Sequence, residues 1–451
     1  MSDSLSIFIS WPSAPLTECL VRKAIAELGL SGSIHLIQPH SYHSLLQWST
    51  YDDLDHDATR KNPQNVLSSS YTIRKALIRK HFLSRCIQSY LTKHPHSVLK
   101  HAVPRTWDLE ISYADELDEM WSDELWDLGN ELDDPYKWWI LKPGMADRGM
   151  GIRLFNSKEA LQRIFESFEG DSDDEDNTTD DTAVITSQLR HFVIQEYLST
   201  PLLLDPHEVP IANTYQKFYD NFQGHKFHLR AYCVASGALK LYLYTRILAL
   251  FSATPYESPA PKDSENGHAE VDLAAHLTNT SLQTHRGEDG VRLLDELSGC
   301  SVLSHLHESV HSQELRFTSN NIECIQRQMA DILAETFKAA IEMTVHFQPL
   351  PNAFELYGVD FLVSHEMEAS SSNNDARFGV KLLEINAEPA IELTGPRLTW
   401  ILEDLFKAIG KVCIGPFSGQ IDAEESTWEV GEVRHNLHKC LELEIRGSGG
   451  W

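Results

Sequence analysis

No stretch of this chain is apolar for long enough to cross a bilayer. The nearest approach, Ala238 to Thr254, is interrupted by Lys240 and Arg246, and a span needs roughly 18 apolar residues. No basic leader precedes the first apolar stretch, so no secretory signal is evident. Cysteine is scarce and unpatterned: Cys19, Cys86, Cys233, Cys300, Cys324, Cys413 and Cys440 are odd in number and form no C-x-x-C pair. That usage fits a reducing compartment, and together these absences place the protein in the cytoplasm or nucleus. Basic residues are also short, with 38 Lys and Arg against 66 Asp and Glu and a formal charge of −28. Such a surface repels a phosphate backbone and disfavours direct nucleic-acid binding unless the fold gathers a local basic patch. Twelve carboxylates and no Lys or Arg lie between Asp108 and Asp134, and eight more lie between Glu169 and Asp181, so the rest is only mildly acidic. Runs of this kind are ordinarily solvated loops or helix faces.

Several familiar signatures are missing too. There is no G-x-x-x-x-G-K-[ST] and no G-x-G-x-x-G, which excludes the P-loop and the dinucleotide fingerprint. No Ser–His–Asp order is legible. His305, His307 and His311 sit in a polar segment without a companion cysteine and read as a polar helix face. Trp138 and Trp139 open a strand, where aromatic residues are usually core.

What is present is a 451-residue chain, 42% hydrophobic and 23% charged, a balance that suits a globular protein of two or three domains. The patterning predicts a strand at Leu5–Ser10, an amphipathic helix at Leu16–Leu28 ended by Gly29, and a strand at Ile34–Gln38. A polar stretch leads to a basic-faced helix at Tyr71–Leu91. Strands follow at Trp138–Lys142 and Phe192–Leu198, flanking a helix at Ser157–Phe168 and the acidic loop. Lys226–Val234 and Leu239–Leu250 read as paired antiparallel strands, Ser252–Ala275 as a mobile loop, and Ile322–Met343 as a helix. Ala353–Val363 and Phe378–Asn386 are two late strands, and Leu398–Val412 is the closing helix.

The two late strands carry the strongest chemical signal: Asp360, and Glu384 with Asn386. Alternation puts Glu384 and Asn386 on one face. If Asp360 faces the same way from its neighbour, three hard oxygen ligands converge, a set that suits Mg²⁺. Earlier, Lys142 ends a strand and Met145-Ala-Asp-Arg-Gly-Met-Gly-Ile152 follows, where Gly149 and Gly151 permit close backbone approach to an anion and Arg148 adds charge. Lys226 and Arg230 share a strand face and, with Arg246, can gather charge around a triphosphate.

The order of these pieces is more specific than any one of them. Trp-Ile-Leu-Lys-Pro (139–143), Arg-Gly-Met-Gly-Ile (148–152), Val-Ile-Gln-Glu-Tyr-Leu (193–198), Lys-Phe-His-Leu-Arg (226–230), Leu-Tyr-Thr-Arg (243–246), His-Leu-Thr-Asn (276–279), Phe-Glu-Leu-Tyr-Gly-Val-Asp-Phe (354–361) and Leu-Glu-Ile-Asn-Ala-Glu-Pro (383–389) resemble the tubulin–tyrosine ligase family over most of the chain. The stretch Ala-Glu-Pro-Ala-Ile-Glu-Leu-Thr-Gly (387–395) resembles fungal members, among them half of a P-body-associated yeast protein.

The resemblance implies an α+β protein of the ATP-grasp fold, holding ATP between two lobes. It implies a small α/β N-terminal domain at 1–69, a central lobe at 70–197 that includes the acidic loop 169–181, a C-terminal lobe with the metal site at 198–415, and a tail at 416–451. Lys142 and Lys226 would contact the phosphates, Gln195, Glu196, Tyr197 and Leu198 the adenine, and Asn279 the neighbourhood of the nucleotide. Asp360, Glu384 and Asn386 would hold Mg²⁺, while Arg230 and Arg246 would face the reacting carboxylate. The implied reaction joins an amino acid, tyrosine by family likeness, to a protein acceptor such as α-tubulin, in the cytoplasm or a P-body. Three departures stand out: His228 replaces the usual Asp of Lys-Phe-Asp-Leu-Arg, Met150 the usual Lys or Arg of the glycine turn, and Glu196 a common hinge Lys. They motivate an inactive ATP-grasp binding scaffold as an alternative. A second alternative, adding glutamate or glycine to acidic tails, needs a basic groove, for which Arg74, Lys75, Arg79 and Lys80 are the candidates.

Overall fold

Leu5–Ser10 (β1) buries Ile7, Phe8 and Ile9, and the helix after it, Pro15–Glu27 (α1), starts on a proline that suits the first helical turn. It stops just before Gly29, which takes φ +62°. The computed structural model describes residues 5–444 apart from 31, 133, 135, 145–149, 171–189, 212–220, 261, 264–268, 279–287, 305–314, 366–377 and 420–426. Expectations for Arg148, Gly149, Asn279, the His305–His311 cluster and nearly all of the acidic loop therefore fall outside the described residues.

β1 is flanked in a parallel sheet by Gly32–His35 (β2) on one side and Ser44–Ser49 (β3), then Val66–Ser68 (β4), on the other. β2 begins and ends earlier than its apolar pattern predicts. It is an edge strand paired only to β1, and Leu36 and Ile37 beyond it are exposed. β3 and β4 lie within the stretch read from sequence as polar.

The long helix expected at Tyr71–Leu91 is broken. Lys75–Ile78 makes one turn, Arg79 is extended, and Lys80–Lys93 (α2) continues. The cause is upstream: Ile73 bridges to Gln348, and the Tyr71 N–H donates to the Glu355 carboxylate at 3.2 Å, so the segment enters as an extended connection. Arg74 is buried against Glu355, which also accepts the Tyr357 hydroxyl at 2.7 Å. Burial pushes the Glu355 carboxyl up, and Arg74 and Tyr357 only partly offset it. Removing one member of a buried pair strands the other's charge. Glu355→Gln is therefore expected to lower the unfolding free energy by about 3–5 kcal/mol; a loss below about 1 kcal/mol in urea titration would show Arg74 to be hydrated.

Thr106–Glu110 (β5), Trp139–Pro143 (β6), Arg153–Phe155 (β7) and His191–Glu196 (β8) form an antiparallel sheet in the order β5-β8-β6-β7. The helix Lys158–Gly170 (α3) belongs to this unit, and Trp139, Phe155, Phe165 and Phe192 fill its core. The second unit is a nine-stranded sheet. Its centre is His225–Ser236 (β10), paired antiparallel to Phe354–His365 on one edge. Lys240–Tyr244 and Leu248–Phe251 share the other edge, split by a bend where one continuous strand was expected. Phe227, Leu229 and Ala231 point into a core shared with α2 and the helix Ser319–Glu342, while Tyr232 and Val234 on the opposite face join a core with α1, β1 and the helix Thr399–Ile409. Within the stretch read as a tail, Leu437–Glu442 is a strand paired to Lys240–Tyr244. The segment read as a mobile loop is tied back at Tyr256, whose N–H donates to the Gly224 carbonyl at 2.8 Å.

Candidate active site

Antiparallel register sets the first half of the site. On β10, Arg230 stands opposite Asp360 of the strand Phe354–His365, and Asp360 stands opposite Glu384 of the strand Phe378–Ala387. A register shift between Asp360 and Phe361 moves the pairing from Glu384 to Leu382, leaving Leu383 as an extra residue. Such a bulge re-aims side chains locally. Asp360, Glu384 and Asn386 meet here. Arg230 Nη2 is 2.8 Å from Asp360 Oδ2, and His228 Nε2 is 3.4 Å from Asp360 Oδ1. Asn386 Nδ2 lies 3.2 Å from Glu384 Oε1 and 3.4 Å from Asp360 Oδ2. Lys80 Nζ, at the start of α2, is 3.2 Å from Glu384 Oε2. Burial works against ionisation of both carboxyls, but Arg230 and His228 hold Asp360 well below the usual range, and Lys80 holds Glu384 below it.

The second half comes from the four-stranded sheet. Lys142 on β6 donates to Gln195 Oε1 at 2.8 Å, and Gln195 Nε2 donates to Thr106 Oγ1 at 3.2 Å. Lys226 lies with its ammonium 4.4 Å from the Tyr197 ring centroid and 3.3 Å from the Tyr197 hydroxyl, which itself meets His276 Nδ1 at 2.9 Å. Burial pushes Lys142 down to about 8 and Lys226 down to about 7, the latter helped by Lys142. Both halves line one cleft of about 360 Å³, bounded by Lys80, Lys142, Gln195–Leu198, Lys226, His228, Arg230, Asp360, Glu384 and Asn386. Apolar walls come from Ile140, Ile152, Leu250 and Leu362. A concave, mostly apolar cavity with a few convergent charges is the usual form of a small-molecule site.

Some expectations are corrected. Arg246 lies outside this cleft, beside the bend that ends Lys240–Tyr244; its Nη1 is 3.4 Å from Asp295 and its guanidinium 6.0 Å from the Trp400 ring. Arg230 is in the cleft but clamps Asp360, its direct cross-strand neighbour, where an open face toward a substrate was expected. Asn386 turns its amide nitrogen toward the carboxylates, so serving a cation requires its amide to rotate by half a turn. Arg74 cannot line a basic groove because it is buried on Glu355. Gly151 adopts φ +70° between Met150 and Ile152, both at the cleft. Glu196 pairs with Arg105, which covers Trp139 at 5.2 Å, so a cation remains beside the hinge despite the missing lysine.

Residues that sequence reasoning did not assign to the nucleotide site are Lys80, His276 and Thr278. Lys80 belonged to the basic helix, and its contact with Glu384 depends on how α2 docks. His276 and Thr278 lie in the motif His-Leu-Thr-Asn, and Thr278 meets His228 Nδ1 at 2.5 Å. The donor set of two carboxylates and an amide suits a hard divalent cation such as Mg²⁺ and offers nothing to a soft one.

A small antiparallel sheet that carries a lysine and closes against a larger sheet that carries paired carboxylates is the arrangement of an ATP-grasp protein. The chain covers 98% of itself and 100% of the crystal structure of the C-terminal domain of Pby1 from K. lactis, described as an ATP-grasp enzyme interacting with the mRNA decapping enzyme Dcp2, with a TM-score of 0.64 and 28% identity. Residues 60–420 match the model of the tubulin-tyrosine ligase family, and the chain belongs to that family. It is 38% identical to the "Probable tubulin--tyrosine ligase PBY1" of Saccharomyces cerevisiae over 90% of this chain, and spans 50% of that protein's length. It is 35% identical to the "Probable tubulin--tyrosine ligase C12B10.04" of Schizosaccharomyces pombe, over 93% of this chain and 94% of that one. Among the described residues no helix is long and apolar enough to cross a membrane.

Proposed function

We propose that this protein is an ATP- and Mg²⁺-dependent ligase that activates a carboxylate by phosphorylation and joins an amino acid, tyrosine by family likeness, to the C-terminus of a protein such as α-tubulin. The observation that carries the reading is the convergence of Asp360, Glu384 and Asn386 in one cleft with Lys142 and Lys226. In this reading Asp360, Glu384 and Asn386 hold the cation. Lys142 and Lys226 bind phosphate oxygens, and Arg148, Gly149 and Gly151 are assigned to the same nucleotide. Gln195–Leu198 bind the adenine, with Asn279 and His228 near the nucleotide. ATP would supply the phosphoryl group that gives the carboxylate a leaving group, and Mg²⁺ would offset charge on its oxygens. The apolar walls exclude water from the site, and Arg230, once a bound cation draws Asp360 away from it, orients the carboxylate by charge-assisted hydrogen bonds.

A second reading has a specific observation behind it. Arg230 already occupies Asp360, with His228 alongside, and Lys80 occupies Glu384, so the oxygens meant for a cation are met by protein side chains. That favours a binding scaffold that turns over slowly or not at all. The K. lactis relative's description as a partner of Dcp2 supports extending a decapping-type partner, and a cytoplasmic, P-body-associated location, to this chain under either reading.

Incubating the protein with ATP, Mg²⁺, each amino acid in turn and tubulin separates the two by mass spectrometry. Ligase activity adds the mass of one amino-acid residue to tubulin, and Glu384→Gln abolishes the addition. Mg²⁺-dependent nucleotide binding with no ADP release, whatever amino acid is supplied, leaves the scaffold standing.

A further inference from the structure

We propose that Asp205, His207 and His225 form a transition-metal site suited to Zn²⁺, separate from the cleft and from its oxygen-only donor set. The ligating atoms of the three side chains all lie within 4.8 Å of one another. Topology brings them together. Leu203–Leu204 is a two-residue strand (β9) paired to the start of β10 with Leu204 opposite His225, so Asp205, the next residue, falls beside that histidine. Asp205 then caps the turn Pro206–Glu208: its Oδ1 accepts the His207 N–H at 2.8 Å and meets His207 Nδ1 at 2.7 Å. Its Oδ2 accepts the Gln223 N–H at 2.7 Å. Arg292 holds the turn by donating to the carbonyls of Pro206 and Val209 at 2.8 and 3.1 Å.

An Asp–His hydrogen bond at a turn is by itself ordinary capping. Two further observations point past it. First, His225 Nδ1 stands 3.1 Å from the Ser252 carbonyl. A carbonyl can only accept, so that nitrogen carries the proton; in the neutral ring Nε2 then carries the lone pair, the tautomer that outer partners impose on metal-ligating histidines. Second, Asp205 and His225 are 3% and 4% exposed, and among the described residues Asp205 has no lysine or arginine within ion-pair distance. A carboxylate so deeply placed calls for a positive partner.

Two imidazole nitrogens and one carboxylate oxygen, with a fourth position open, is a zinc donor set. His207 is exposed on the outer side, giving an entry path. Ligands at about 2.0–2.1 Å from a tetrahedral ion stand about 3.3 Å apart. Uptake therefore parts Asp205 Oδ1 from His207 Nδ1 by about half an ångström and expels the proton between them. The ion would pin β9 to β10 one residue before Lys226.

The test uses the whole chain stripped with EDTA, then titrated with Zn²⁺ by calorimetry and with Co²⁺ by visible absorption. The expected result is about one equivalent of Zn²⁺ retained after dialysis, tetrahedral Co²⁺ bands, and a melting temperature raised by Zn²⁺. His207→Ala takes a partner from Asp205 and should lower the metal-free melting temperature, but it should also remove the Co²⁺ bands, abolish the rise in melting temperature on adding Zn²⁺, and weaken Zn²⁺ binding at least about tenfold. Asp205→Asn should weaken it likewise, and Glu384→Gln should leave it intact, which keeps this site's failure distinct from the cleft's. Wild-type protein that retains no Zn²⁺, or His207→Ala that binds it as tightly as wild type, overturns the proposal.

Discussion

Asp360→Asn is expected to lower the Mg²⁺-dependent turnover proposed for this cleft by about 10²–10³-fold or more, the loss for one group facing developing charge, and to destabilise the fold by about 3–5 kcal/mol. Both effects come from one carboxylate. Asp360 is 3% exposed and takes a two-pronged contact from Arg230 with His228 alongside. Losing its charge leaves a guanidinium inside the protein with no counter-charge of equal quality, since Glu384 is already engaged by Lys80. The pH dependence carries the same sign. The folded-state pKa is depressed, so this contribution is complete above the unfolded value of about 3.9 and is lost as pH falls below it. Urea unfolding of wild type and Asp360→Asn between pH 3 and 7 should converge toward the acid end. Arg230→Leu combined with Asp360→Leu should recover part of the loss, because the pair is removed together. A variant within about 1 kcal/mol of wild type that still turns over nucleotide would remove Asp360 from the site.

The second large effect belongs to the lysines. Burial holds Lys226 at about 7 and Lys142 at about 8 against an ordinary value of 10.5, so in mildly alkaline solution both are largely neutral in the nucleotide-free protein. Between those values and 10.5 the unfolded chain binds protons that the native chain does not, so stability rises with pH in that window, by up to about 1.4 kcal/mol per pH unit for each lysine. Phosphate oxygens reverse the preference by stabilising the charged form. Nucleotide binding at pH 8.5 is therefore expected to take up one to two protons, seen as a dependence of the calorimetric heat on buffer ionisation enthalpy. Above pH 8 the affinity should fall by up to about tenfold per pH unit for each lysine. Lys226→Met should weaken binding by about 1.5–3 kcal/mol, the range for a charged hydrogen bond, and remove one of the protons taken up. An affinity flat from pH 7 to 9.5 would mean that neither lysine meets the phosphates.

Legibility varied with how local the cause was. The strands holding Lys142, Lys226, Asp360 and Glu384 were readable because each is a short apolar run with turns at its ends, and their order along the chain matched a family pattern. The break at Arg79 was not readable, since Tyr71–Leu91 has helical spacing throughout and only the contacts of Ile73 with Gln348 and Tyr71 with Glu355 pull its start into an extended path. Arg246 looked equivalent to Arg230, as each follows apolar strand residues. The bend after Tyr244, where the Thr245 N–H donates to the Asn436 carbonyl, carries it to Asp295. The strand Leu437–Glu442 passed for a tail because its partner lies about 200 residues earlier.

By itself the sequence determined the ATP-grasp fold and its family, and which residue types stand ready for chemistry: alternation and motif order are properties of neighbours along the chain. Only the tertiary structure decided which charges meet. The pairing of Arg230 with Asp360 and of Lys80 with Glu384 follows from strand register and helix docking, and strand register likewise sets Asp205 beside His225. Burial then fixed the protonation of Lys142 and Lys226, because the cost of a charge depends on what surrounds it and not on what precedes it in the chain.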